Sequence, residues 1–407
     1  MNKAKPTNSE QDTHSNSSAF SLFLIFLRLG LTSFGGPVAH IGYFHNEFVS
    51  RRKWFTEQTY SEIVALCQFL PGPASSQVGL SIGLSRAGYW GAFAAWLGFT
   101  MPSAIIMTLV ALGYTQLSES NITGIIQGLK IVAVAVVAQA LWGMFKSLCP
   151  DIKRTLIMIV ATLIVSFLTS ASGQLIAIVI CGILGICFIK DNKTEANAQA
   201  VMINISKKTG IVFLSLFFFL LISLPILNSA LTSQSIENVS SFYQTGSLVF
   251  GGGHVVLPLL QAEVVSTGQV TNDAFLAGYG AAQAVPGPLF TFASFIGASL
   301  YEGNLAWYGS ILCLFAIFLP AFLLIAGALP FWQGIRSNTY AKTALAGANA
   351  GVVGLLLAVL YDPVLISTVY DIKSAALCIS ALIALMFFKL PPWLVVLSYS
   401  LIGFFLL

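Results

Sequence analysis

The sequence predicts an all-α polytopic membrane protein made of two homologous halves, on three observations. Its 407 residues are 57% hydrophobic and only 8% charged, with a mean hydropathy of +0.85, more apolar surface than a soluble domain can hide. Successive Leu/Ile/Val/Phe runs are about 17 to 25 residues long, enough to cross a hydrocarbon core of roughly 30 Å as helices. They lack the alternation of barrel strands, the only other structure that satisfies its backbone in lipid. Finally, Gly30 to Val49 aligns without a gap on Gly246 to Val265, with Gly30, Phe34, Gly35, Gly36, Glu47 and Val49 matched by identical residues.

Residues 1–18, MNKAKPTNSEQDTHSNSS, are polar and carry no apolar core ahead of a cleavage site. A disordered N-terminus without a secretory leader is expected. The first repeat is expected over residues 19–190. Within it, Thr56 to Phe69 and Ala74 to Arg86 are about 14 and 13 residues, roughly 20 Å each as helices and too short to span alone. A hairpin broken at Pro71-Gly72-Pro73 fits better. Ala19 to Val49, interrupted at Gly35-Gly36, is expected to form another, although hydropathy by itself leaves tilted spans open. Pro102 sits inside the next apolar run, where it should kink the helix. A charged linker, residues 191–209, and one apolar crossing, residues 210–228, precede the second repeat over residues 241–407. There Gln283 and Pro286-Gly287-Pro288 match Gln68 and Pro71-Gly72-Pro73 after a one-residue slip, and Pro320 matches Pro102.

A single linking crossing reverses whatever follows, so the halves are expected to be inverted repeats with broken, re-entrant hairpins. Basic residues test this. With hairpins, the N-terminus, Arg51, Arg52, Lys53, Arg86, Lys146, Lys153, Arg154, Lys190, Lys207, Lys208, Arg336, Lys342 and Lys389 share one side, and Lys373 stands on the other. By the positive-inside tendency the rich side is cytoplasmic. Spanning segments would expel the Arg51 to Lys53 cluster.

The net charge of +4, carried mostly in short loops, is a topology signal and excludes a nucleic-acid surface. Six cysteines occur without a CxxC pair, beside only four histidines and no dinucleotide fingerprint. No cofactor, metal or catalytic set is expected, and the chain is not read as an enzyme.

Broken helices at membrane depth are tolerated where they line a cavity, and half-helix N-termini there point amides and positive dipole ends at an anion. The alternative is close helix packing by glycine and simple kinking by proline. Recurrence of the breaks in both halves favours a site at Gly35, Gly36, Pro71, Gly72, Pro73, Gly251, Gly252, Pro286, Gly287 and Pro288. Neutral donors stand beside them: Gln68, Ser75, Ser76 and Gln77 in the first half, Gln283, Thr291 and Ser294 in the second. His40 and His254 follow the glycine pairs at non-equivalent positions. Arg28 and Lys130 lie within apolar runs, where an unpaired charge costs a few kcal/mol. Their counterparts are Gln244 and Asn349, so two cations facing one cavity, able to compensate a dianion, would belong to the first half alone; snorkelling to the interface is the alternative for each. Glu47 and Glu263 match in the repeat and could carry protons.

The stretches LRLGLTSFGGPVAHIGYF, ALCQFLPGPASSQVGLSIGLSRAG and AAWLGFTMPSA, with LVFGGGHVVLPLL and AAQAVPGPLFTF, closely resemble the chromate ion transporter family in its long, two-domain form. The resemblance covers nearly the whole chain after residue 20. It implies a multi-pass protein of the bacterial inner membrane that exports chromate and confers chromate resistance, driven by the membrane's electrochemical gradient. Carried onto this chain, the family's paired motifs are Gly35-Gly36-Pro37 with His40, Pro71-Gly72-Pro73, Gly251-Gly252-Gly253 with His254, and Pro286-Gly287-Pro288. Gly253 stands where the first half has Pro37, which leaves open whether the halves contact substrate equally. Sulfate, of similar shape and charge, is an alternative substrate, and a membrane-bound chromate reductase is disfavoured by the missing redox ligands. The partners expected are the oxyanion and the lipid bilayer; a homodimer is left open.

Overall fold

The computed structural model describes residues 18–116, 123–190 and 205–406. The expected polar N-terminus and most of the charged linker lie outside the described residues, within which all regular structure is helical. The first half comprises α1 (Ala19–Thr32), α2 (Gly36–His45) running on as a π-helical turn (Asn46–Arg51), α3 (Glu57–Phe69), α4 (Ala74–Gln116), α5 (Thr123–Leu148), α6 (Ile152–Phe167) and α7 (Ala171–Phe188). After α8 (Lys207–Ala230) come α9 (Gln234–Leu248), α10 (Val256–Leu260), α11 (Asn272–Ala282), α12 (Phe292–Ser299), α13 (Leu305–Ala328), α14 (Trp332–Ser337), α15 (Thr339–Val359), α16 (Ile372–Met386) and α17 (Pro392–Leu406). Six helical stretches among the described residues are long and apolar enough to cross a membrane.

Local chemistry repeats between the halves. Thr56 caps α3 by accepting from the Thr59 amide, and its counterpart Thr271 caps α11 through the Ala274 amide. Asp151 and Asp371 do the same for α6 and α16, the latter in a full capping box with Ser374.

The short broken segments are helical hairpins. Phe26 of α1 meets Phe44 and Phe48 beyond the glycine pair, with ring centroids 5.6 and 5.2 Å apart. Cys67 reaches Ser81 across the first Pro-Gly-Pro at 3.7 Å, and Tyr279 meets Phe292 across the second at 5.7 Å. Contacts between residues on either side of a tip require the chain to turn back there. α4 also reverses, at Ala87 and Gly88, whose backbone leaves the helical region. Residues 74–86 therefore fold back on 89–116, with Gly83 and Gly91 backbone to backbone.

The orientation of the halves follows from α4 and α13, which match in the repeat through Pro102 and Pro320. Thr108 Oγ1 lies 2.6 Å from Ser310 Oγ, while Trp96 packs on Phe322 with centroids 5.6 Å apart. Higher numbers on one helix meet lower numbers on the other, so matched helices run antiparallel and the repeats are inverted.

The halves also interlock. α5 of the first packs on α16 and α17 of the second, and α15 of the second packs on α6 and α7 of the first. Glycines permit both seams: Gly124 meets Gly403 in one and Gly185 meets Gly347 in the other, close enough that a Cβ would strike backbone.

Candidate functional site

The four hairpin tips meet crosswise. The Gly72 amide donates to the Val249 carbonyl at 2.7 Å, and the Gly287 amide donates to the Ser33 carbonyl at 2.9 Å. Ser33 and Val249 are repeat-matched, so the two bonds are one contact made twice. Gly72 and Gly287 hold φ of +121° and +104°, a region that excludes other residues except under strain. A Cβ on Gly287 would also lie 2.7 Å from Ser103 Oγ, and one on Gly72 2.8 Å from Gln77 Nε2. The first hairpin of each half is thereby joined to the second hairpin of the other.

A cavity of about 740 Å³ opens at this junction, lined by Phe34, Gly35, Gly36 and Pro37 of the first half and by His254, Gln283, Val285 and Gly287 of the second. α5 adds Gln139, the α16–α17 connection adds Lys389, and the start of α17 adds Trp393. Among the described residues that line it there is no carboxylate, and Lys389 is the one Lys or Arg. α2 begins at its wall with Gly35 as N-cap and no side-chain cap, which sets its positive dipole end at the cavity. His254 Nδ1 lies 2.8 Å from the Tyr279 hydroxyl, Gln139 donates to the Leu385 carbonyl at 3.3 Å, and the Gln283 amide nitrogen has no protein partner. Such a wall offers donors and one lysine charge that suit an anion able to accept hydrogen bonds.

Of the residues singled out in the sequence, Gly35, Gly36, His254, Gln283 and Gly287 line this cavity. His40, Ser75, Ser76 and Gln77 are buried directly behind the tips. Gln77 Nε2 donates to the Pro71 carbonyl at 2.7 Å, and Thr291 donates to the Pro288 carbonyl at 2.8 Å, so both shape the Pro-Gly-Pro turns. Pro71, Pro73, Pro286 and Pro288 form those turns. Gly251 abuts Leu148 and Asn349, and Gly252 is the cap of the turn that carries His254. Gln68 is exposed.

The two cations do not share the cavity. Lys130 is buried and donates to Asp273 at 2.6 Å and to the Ser367 carbonyl at 3.0 Å, tying α5 to α11 of the other half. Arg28 is exposed on α1. Glu47 is gripped by Arg51 at 2.9 Å and Arg52 at 2.7 Å. Glu263 lines a smaller cavity of about 130 Å³ with Gln174 and Gln244. Among the described residues no group of three or more His, Cys, Asp or Glu gathers to hold a metal.

Sequence reasoning passed over Gln139, Lys389 and Trp393. Gln139 carried a signal, a lone amide in the apolar run VAVVAQALW, whereas Lys389 was absorbed into the topology argument. A second ion pair, buried Glu62 of α3 with half-buried Arg336 of α14, also joins the halves, and Glu62 accepts from the Trp332 indole at 3.4 Å.

Residues 20–186 and 236–404 each match the family described as Chromate transporter, so both repeats carry the full pattern. The chain is 26% identical to the chromate transport protein of Cupriavidus metallidurans over 94% of its own length and 92% of that protein's. It is 26% identical to the chromate transport protein of Pseudomonas aeruginosa, over 84% and 80%, and 27% identical to an uncharacterised transporter of Methanocaldococcus jannaschii, over 88% and 87%. No solved structure matches. With the family pattern occupying each inverted half in turn, this chain belongs to the chromate transporter family.

Proposed function

We propose that this protein exports chromate across the bacterial inner membrane and so confers chromate resistance. The observation that carries this is the cavity at the crossed hairpin tips, whose described lining residues offer backbone and neutral side-chain donors, one lysine and no carboxylate. A tetrahedral dianion accepts hydrogen bonds on every side and suits such a wall. Gly35, Gly36, His254, Gln283 and Gly287 would contact it, joined by Gln139, and Lys389 would draw it in at the mouth.

The positive-inside tendency puts the N-terminus and the loops bearing Arg51, Lys146, Arg154, Lys208, Arg336 and Lys389 in the cytoplasm. The cavity then faces inward, ready to load. Moving a dianion out of a cell negative inside is downhill by roughly 2.3 kcal/mol per charge per 100 mV. The potential alone suffices as driving force. Of the matched glutamates, Glu263 is the better proton carrier, since Glu47 is already engaged by Arg51 and Arg52.

Radiolabelled chromate flux in proteoliposomes under an imposed potential, with and without a pH gradient and with sulfate as competitor, tests this. Saturable flux that follows the potential is expected. Flux that neither saturates nor responds to potential overturns the proposal, and preferential sulfate transport reassigns the substrate.

A further inference from the structure

Behind the cavity floor lies a cluster of polar side chains from the first half. His40 Nδ1 is 3.4 Å from Ser75 Oγ. The Ser33 carbonyl receives the Gly287 amide. Ser103 borders Gly287 and donates to the Thr100 carbonyl at 3.0 Å. All these side chains are at most 2% exposed. Yet Ser33 Oγ, His40 Nε2, Ser76 Oγ and Thr100 Oγ1 have no protein partner. A buried polar atom left unpaired costs about 1–3 kcal/mol, so four on adjoining elements are not a packing accident.

The other half shows what packing alone builds there. The residues matched to Ser33, His40, Ser75, Thr100 and Ser103 are Val249, Val256, Phe290, Phe318 and Ala321; Ser76 matches Thr291, whose hydroxyl is engaged by the Pro288 carbonyl. Phe290 and Phe318 fill their side with rings 5.7 Å apart. Where one half stacks two benzyl groups, the other presents two small hydroxyls.

We infer that Ser33, His40, Ser76 and Thr100 form a second, dehydrated oxyanion subsite one step deeper than the open cavity. A tetrahedral oxyanion there accepts from the three hydroxyls and, in the tautomer whose Nδ1 accepts the Ser75 hydroxyl, from Nε2–H of a neutral imidazole. The subsite rests on the transport reading and deepens it: it makes the transit position one-sided in a two-fold scaffold. It is also specific, because an anion with fewer acceptor oxygens leaves donors unpaired.

The test is chromate flux against concentration in proteoliposomes, normalised to inserted protein. Ser76→Ala and Thr100→Val should each raise KM about tenfold or more, the loss of one hydrogen bond to a charged group. Thr100→Ser should restore it, and Thr100→Phe, the residue of the other half, should abolish flux. Ser310→Ala, a buried hydroxyl outside the cluster, should leave KM unchanged. The subsite is overturned if Ser76→Ala and Thr100→Val keep the wild-type KM, or if Ser310→Ala raises KM as much as they do. Absence of oxyanion flux in the wild type removes the transport reading itself.

Discussion

Lys130 shows how a charge in an apolar run is to be judged. Its ammonium is buried and paired with a carbonyl and with Asp273, whose side chain is 59% exposed, and stranding a buried charge costs more than deleting it. Asp273→Ala should therefore destabilise the protein by about 2 kcal/mol, while Lys130→Met, which keeps the stem and deletes the charge, should cost less. Thermal unfolding of the two variants in detergent checks the order. Lys389, exposed at the cavity mouth, should act through its field: Lys389→Gln should raise KM for chromate severalfold at low salt and little at high salt, where the charge is screened. The sequence made Lys130 conspicuous but hid its partner, which lies 143 residues away. Hydropathy registers the expense of burying a charge and says nothing about which distant carboxylate answers it. Arg28 looked equivalent by that measure and is exposed.

The hairpins were legible because their limbs are too short to span and end in glycine and proline. The joining of their tips was not, since a backbone bond from Gly72 to Val249 leaves no trace in either side chain. That bond and its twin at Gly287 make a prediction about turns rather than contacts. Gly287→Ala must hold a positive φ and displace Ser103, and should lose roughly 1–3 kcal/mol of stability together with flux. Gly113→Ala is the control, with a helical backbone and open space around it. Equal loss in both, read by thermal unfolding and flux, would refute the role of the crossed tips. The reversal at Ala87 and Gly88 was foreshadowed only by Arg86, a charge where a continuous helix would have kept it in lipid.

Duplication and inversion could be read from matched motifs and the distribution of lysine and arginine, because both are written in linear order. The exchange of α5 and α15 between the halves could not, since a lipid-facing stripe and a helix-facing stripe are equally apolar. The exchange predicts that residues 1–190 and 205–407, expressed separately, are degraded or aggregate, whereas co-expression restores a stable, co-purifying complex. Recovery of either piece alone as a stable monomer would contradict it. The same exchange bears on biosynthesis. α5 is inserted long before α17 is made, and α7 long before α15, so each waits with its glycine seam open while some 150 to 250 residues are added. At about 5–20 residues per second, that is on the order of tens of seconds during which the nascent first half stands in the bilayer unsealed, open to membrane proteases and to premature pairing with another nascent chain.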